Sequence, residues 1–339
     1  YTTINNKTLM KIIIQQFQIY YHVILNYNKM CKNKSILFYV YTLPPIGYLI
    51  YHLFIKFILK TRDIQLINKI LKFKIFKICI RFFNPDERYF LSNNLDEYNN
   101  LNIKNDNNNQ LINNKINELK KNGYCELGKI FPDEECLNFI KYLENKDCYL
   151  SQVPLQSDGK KYKFNLFNFK DQFESFPYIV FLPDLINFTP IKKFLSSKNI
   201  TDIVNSYLNF KWTIYSYITW FNPSSSKKHY VHRFHRDHDD YKALTMFIYW
   251  TDVEDNNGSF NFIPQSHKAK SSNQTKISLS GLRGNVFLAD TSGLHCASQI
   301  TKNYRIITQI RFGKKDGYSP VVDGYCQSPS DEHLEFIKR

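Results

Sequence analysis

The rhythm of apolar and polar positions changes several times along this chain. Residues 12 to 25 are apolar but interrupted by Gln15, Gln16 and His22. Residues 36 to 55, ILFYVYTLPPIGYLIYHLFI, run for twenty positions without a formal charge, flanked by Lys32, Lys34, Lys56 and Lys60. That length suffices to span a bilayer, but Pro44, Pro45 and Gly47 break the run near its middle, so a single straight helix is not expected. A hairpin dipping into one leaflet and two short buried helices around a Pro-Pro turn both satisfy the pattern. In residues 64 to 83, Lys69, Lys72, Lys74, Lys77 and Arg81 fall on no single helical face, so only modest amphipathicity is expected there. Residues 92 to 115 are dominated by Asn, lack apolar periodicity and read as a linker.

From Leu111 the pattern becomes regular. It predicts a helix ending at Gly123, which sits where a left-handed C-cap is needed, then a short strand, a turn at Pro132, and a helix to about Lys146 with Asp133 placed to cap it. Short helices are expected near 184 to 208, inside an aromatic, loop-rich stretch running from 150 to 210. After Phe210 the pattern is that of strands. Residues 211 to 221, KWTIYSYITWF, are aromatic and β-branched and stop at Asn222-Pro223. Further strands are expected at about 229 to 236, 243 to 251, 259 to 263, 276 to 280, 285 to 289 and 304 to 312, with turn signals at Asn256-Asn257-Gly258, Gly281 and Gly284. So many short strands at this spacing predict a sandwich or jelly roll. The fold class is therefore mainly β with flanking helices (α+β), behind a basic, hydrophobic, helical N-terminal segment. The expected division is 1 to 91 for that segment, 92 to 115 for the linker and 116 to 339 for the folded domain.

Charge sharpens this division. The 339 residues carry a net charge of +15, which would ordinarily suggest nucleic acid or an acidic membrane surface. Residues 1 to 90, however, hold 14 Lys and Arg against 3 Asp and Glu, leaving only +4 for the rest. The β region is thus not a basic nucleic-acid module, and association with a membrane surface, if present, is expected through residues 36 to 83. The seven cysteines contain no Cys-x-x-Cys, so neither a disulfide framework nor a structural zinc site is indicated. A reducing, cytoplasmic setting with membrane association is the corresponding expectation.

The candidate chemistry lies at His235-Arg236-Asp237. In an extended strand, residues i and i+2 project from one face, so an imidazole and a carboxylate reach one ion together. With a second histidine, His295, the set leaves roughly three octahedral positions open, which suits a non-haem Fe(II) that binds a co-substrate and O2. A second His-x-Asp, His238-Asp239-Asp240, lies three residues on, so the motif alone leaves the register open.

The stretch HRDHDDYKALTMFIYWTDVEDNNGSFNFIPQSHK, followed by GLRGNVFLADTSGLHCASQITKNYRIITQIRFG, resembles the phytanoyl-CoA dioxygenase family of Fe(II)/2-oxoglutarate oxygenases. The similarity runs from about Ile116 to Gly313 and includes the opening ELKKNGYCEL, Glu118 to Leu127; residues 1 to 110 lie outside it. It implies a double-stranded β-helix with His235, Asp237 and His295 as iron ligands and Arg305 on the distal carboxylate of 2-oxoglutarate. It also implies Trp250 beside the co-substrate and a serine near the distal histidine, for which Ser298 is one position late. A carboxylate at 237 disfavours halogenation, because halogenases of this type lack it.

The activity implied is hydroxylation of an unactivated C–H bond in a small-molecule or lipid-like substrate, with 2-oxoglutarate and O2 consumed and succinate and CO2 released. Two simpler readings stand beside it. A strand tryptophan such as Trp250 is also ordinary core, and the same barrel without iron would be a binding protein. His267, in a turn after a strand, reads as structural, and His229 and His232 as exposed.

Overall fold

Residues 55–61, 63–71, 83–94, 109–153, 156–166, 178–181, 183–225, 228, 230–237, 240–268 and 275–314 are described by a computed structural model of the chain. The chain divides into two compact units, residues 1–83 and 84–339. In the first, the described elements are α1 (Lys56–Thr61) and α2 (Ile64–Leu71). The sequence of α2 is strongly amphipathic, where residues 64 to 83 as a whole promised only modest segregation. Residues 36 to 54, including the Pro-Pro break, lie outside the described residues. Among the described residues no helix is long and apolar enough to cross a membrane.

The second unit begins with α3 (Pro85–Asn94), which composition had grouped with the basic segment. Helix α4 (Gln110–Asn122) starts inside the stretch read as linker. Asn109 ends the ambiguity locally: its side chain accepts from the amides of Leu111 and Ile112, an N-cap that Asn-rich composition disguises. Gly123 closes α4 in the left-handed region, φ 87°, as its position predicted. Strand β1 (Tyr124–Lys129) follows, then α5 (Asp133–Leu143). Asp133 is the first helical residue and pairs with Lys129; the N-cap itself is Pro132, which makes no side-chain bond.

Strands β2 (Asp147–Val153), β3 (Gln156–Lys163) and β4 (Tyr178–Phe181) arise in the stretch where the sequence showed no strand pattern. The helices expected near 184 to 208 are a 3-10 turn, Pro183–Asn187, then α6 (Thr189–Leu195) and α7 (Lys198–Leu208). The remaining strands are β5 (Thr213–Pro223), β6 (Leu244–Tyr249), β7 (Phe260–Phe262), β8 (Ile277–Leu279), β9 (Asn285–Ala289), β10 (His295–Ala297) and β11 (Tyr304–Gly313). They form an eight-stranded antiparallel sheet, in the order β1-β9-β6-β11-β5-β4-β2-β3, and a three-stranded one, β10-β7-β8. The architecture is α+β with a large antiparallel sheet.

The two sheets face each other across one apolar layer in which Phe247, Tyr249, Phe260, Phe262, Phe287 and Ile307 pack together. Strand alternation sends the neighbouring residues the other way. Ile248, Trp250 and Thr308 leave the opposite face of the large sheet, where Trp250 stacks on Phe139 of α5, ring centroids 3.9 Å apart. Burial on both faces explains why β6 reads as a near-continuous apolar run. The strand expected at 229 to 236 is a correction. That segment is a 3-10 turn, Tyr230–His232, followed by one isolated bridge at His235, because its backbone donors find partners singly as it passes to the mouth of the small sheet.

Candidate metal centre

A pair of backbone hydrogen bonds sets the histidines. The amide of His235 donates to the carbonyl of His295 at 2.9 Å, and the amide of His295 returns a bond to His235 at 3.0 Å. Residues exchanging both bonds in this way lie directly opposite and project to the same side, and the ring centroids are 4.4 Å apart. Two residues on, the amide of Asp237 donates to the carbonyl of Thr291 at 2.8 Å. Arg236, between the two ligands, turns the other way and donates to the carbonyls of Ser266 and Ser292. The alternation that made His-x-Asp a candidate is therefore enforced on both sides.

The tautomers follow from the second nitrogens. Nδ1 of His235 lies 2.8 Å from the carbonyl oxygen of Arg233, and Nδ1 of His295 lies 2.9 Å from that of Gly293. A carbonyl only accepts, so each Nδ1 carries the proton and each Nε2 presents its lone pair. Both lone pairs face one oxygen: Nε2 of His235 is 4.0 Å and Nε2 of His295 3.9 Å from Asp237 Oδ1. The three ligand atoms all lie within 4.8 Å of one another. Adjacent ligands at ~2.1 Å from an ion stand roughly 3 Å apart, so the cluster closes on an ion with sub-ångström movements. Among the described residues the cluster is formed in the 235/237 register; His238, of the other register, lies outside them.

The other oxygen of Asp237 is taken. Nη2 of Arg311 is 3.3 Å from Oδ2, with both side chains about four-fifths buried. Burial alone would raise the Asp237 carboxyl. Arg311, the two imidazoles and the Thr291 hydroxyl outweigh it and hold the group below the usual carboxylate range. Burial pushes His295 down to about 4, keeping it neutral and able to donate its lone pair. Asp237 thus offers one oxygen to an ion and one to a guanidinium. Arg311 escaped the sequence reading, although the signal was present: residues 305, 307, 309 and 311 of β11 share a face, so the face assigned to Arg305 also carries Arg311.

Arg305 lies on that inward face toward the far end, about 20 Å along the strand from Arg311 by backbone rise. It is buried, and it donates to Asn222 Oδ1 through Nε at 3.3 Å and Nη2 at 2.8 Å, and to the carbonyl of Gly258 through Nη1. Gly258, at φ 86°, admits this approach: a Cβ there would stand 3.3 Å from Arg305 Cδ and 2.9 Å from Ile300. Ser298 is part of a neighbouring polar knot, its Oγ 2.6 Å from Ser259 Oγ and accepting from Asn261 Nδ2 at 3.0 Å. The structure does not bring Trp250 to the centre. It is fully buried on the opposite face of the large sheet, its indole donating to Thr308 Oγ1 at 2.8 Å, because even and odd positions separate at Tyr249 and Trp250. The core reading of Trp250 replaces the co-substrate one. His229 lies outside the described residues; His232 Nδ1 is 3.0 Å from the carbonyl of Ala297.

No protein-family model and no curated protein matches the chain. Among solved structures it is similar to the non-haem α-ketoglutarate-dependent epimerase SnoN from nogalamycin biosynthesis, at 10% identity and TM-score 0.43 over 62% of this chain and 87% of that one. It is also similar to HygX from Streptomyces hygroscopicus with nickel, 2-oxoglutarate and hygromycin B bound, at 14% identity and TM-score 0.44 over 65% and 98%. A third, EctD from S. alaskensis with 2-oxoglutarate and 5-hydroxyectoine, matches at 16% identity and TM-score 0.45 over 65% and 81%. With TM-scores under 0.5, these likenesses leave the chemistry to be read from the site's own residues.

Proposed function

We propose that the chain is an Fe(II)- and 2-oxoglutarate-dependent dioxygenase built on a double-stranded β-helix, hydroxylating an unactivated C–H bond of a small-molecule or lipid-like substrate. One observation carries the reading: two imidazole nitrogens and one carboxylate oxygen lie within 4.8 Å of one another, a donor set that would hold Fe(II) and would leave further positions for a co-substrate. When bound, Fe(II) with 2-oxoglutarate and O2 supplies the oxidation, releasing succinate and CO2.

The protein's contribution is placement. His235, Asp237 and His295 hold the ion, and the carbonyls of Arg233 and Gly293 fix their rings. Arg305 receives the distal carboxylate of 2-oxoglutarate, since a planar, always-charged guanidinium grips a carboxylate through two parallel bonds. Asn222 and Gly258 hold that guanidinium in orientation. The aromatic layer around Phe260, stacked on His295 with centroids 5.3 Å apart, keeps one wall of the centre dry. We further propose that the basic N-terminal segment, through residues 36 to 83, brings the enzyme to a membrane surface and that no nucleic acid is bound.

Anaerobic addition of Fe(II) and 2-oxoglutarate to the full chain tests the reading. A weak visible charge-transfer band requiring both additions is expected. It should vanish in His235→Ala and demand at least 10-fold more 2-oxoglutarate in Arg305→Ala. A folded protein without the band overturns the assignment and leaves a binding protein on the same scaffold.

A further inference from the structure

Beside the turn after β9, where Asp290 and Ser292 flank Thr291, and lined by none of the three candidate ligands, lies a cavity of about 410 Å³. Its charge is lopsided. Among the described residues Arg88, Lys120, Lys242 and Lys268 line it, with Asp290 as the single carboxylate. That carboxylate is already engaged, since Oδ2 accepts from the Tyr207 hydroxyl at 2.5 Å and Oδ1 from the amide of Ser292 at 3.0 Å. Arg88 is spoken for as well, donating to the carbonyls of Asp237 and Asp240. The lysines are not. Among the described residues neither Lys242 nor Lys268 makes an ion pair; each holds its ammonium over a tyrosine face, Lys242 at 5.8 Å from Tyr207 and Lys268 at 6.0 Å from Tyr89.

A second feature points into the same space. His267 is only 5% exposed, yet among the described residues neither ring nitrogen meets a partner in hydrogen-bond geometry. Burial pushes the ring toward its neutral form, and the nearby Lys120 carbonyl opposes this only in part. The imidazole is pressed against the backbone of Gly123, where a Cβ would come within 2.4 Å of Nδ1. Ordinary proteins leave few buried polar side chains in this condition.

We propose that this cavity binds a small phosphate-bearing anion, held by Lys242, Lys268 and Lys120 and hydrogen-bonded by His267, with the tyrosines walling its organic part. Three cations beyond the occupied Arg88 exceed what one carboxylate balances, whereas a phosphomonoester carries about −1.5 to −2 at neutral pH and three acceptor oxygens. The volume suits a ligand of a few rings at most. Burial lowers the Lys242 ammonium to about 8, the condition of a cation whose counter-charge arrives with a ligand. The site is independent of whether the histidine cluster holds iron, but Arg88 joins the two, because it lines the cavity while bonding the backbone of Asp237.

Calorimetric titration of the full chain with inorganic pyrophosphate, at ionic strength held constant with sodium chloride, tests this. Saturable binding is expected. Lys242→Ala combined with Lys268→Ala should weaken it at least 30-fold, and Lys120→Glu, at an exposed position, about 10-fold, while Fe(II) binding is unchanged in both. Binding that is absent, or equal in the variants, overturns the site. Succinate competing as well as pyrophosphate overturns the phosphate assignment in favour of a carboxylate.

Discussion

Replacing Arg311 by Met keeps most of the side-chain volume and removes one charge, isolating the pair it makes with Asp237. At 3.3 Å, and with both groups about four-fifths buried, the attraction is substantial. Unit charges at that separation interact by about 5 kcal/mol at an effective dielectric of 20. Lost desolvation of the guanidinium and partial exposure return some of this, so the metal-free protein should lose about 2–3 kcal/mol. A divalent ion on Oδ1 neutralises the same carboxylate, and Arg311 then has little left to attract. The metal-bound protein should therefore lose about 1 kcal/mol or less. By linkage the variant binds its ion roughly 10-fold more tightly, although it is less stable. Urea unfolding with excess chelator and with saturating Fe(II) under anaerobic conditions measures both numbers. Equal losses in the two states, or weaker metal binding in Arg311→Met, would refute the view that the guanidinium and the ion compete for one carboxylate.

Other substitutions probe the frame. Trp250→Ala should destabilise by about 3–5 kcal/mol through the cavity left between Phe139 and Thr308, as unfolding by denaturant would report, while Fe(II) affinity per folded molecule stays within about twofold. A large affinity loss would return Trp250 to the site. Gly123→Ala meets both a positive φ and the His267 ring, so it should cost about 2 kcal/mol or more, whereas the equally positive φ at Gly128, with open space around it, should cost less. pH supplies another test on the metal-free protein. His295 titrates at about 4 when folded and near 6.5 when unfolded, so between these values the unfolded chain binds the extra proton. Stability should fall as pH drops from about 6.5 to 4, by at most ~3 kcal/mol, and His295→Phe should flatten that slope. An unchanged slope would show that another group is responsible.

What the sequence determined by itself is whatever depends on local period and local chemistry. The C-cap at Gly123 was legible because a left-handed residue after a helix needs no tertiary partner. The strands at 244–249, 285–289 and 304–313 were legible because β-branched and aromatic runs bounded by turn residues specify extended backbone. His-x-Asp placed two ligand types on one face by strand geometry alone. Tertiary structure decided the rest, since it depends on residues far apart in the chain. Only the bridge between His235 and His295, sixty positions apart, turned the motif into a cluster, and it did so with a single pair of hydrogen bonds where a full strand had been expected. Which face of the large sheet looks inward decided that Trp250 is core and that Arg311 belongs with Asp237; alternation fixes that two neighbours diverge, but not which of them meets the second sheet. The cavity around His267 gathers α3, α4, α7 and the loops after β7 and β9. No local pattern announces it, because a lysine lining a cavity and a lysine in solvent are the same letter until the chain folds around one of them.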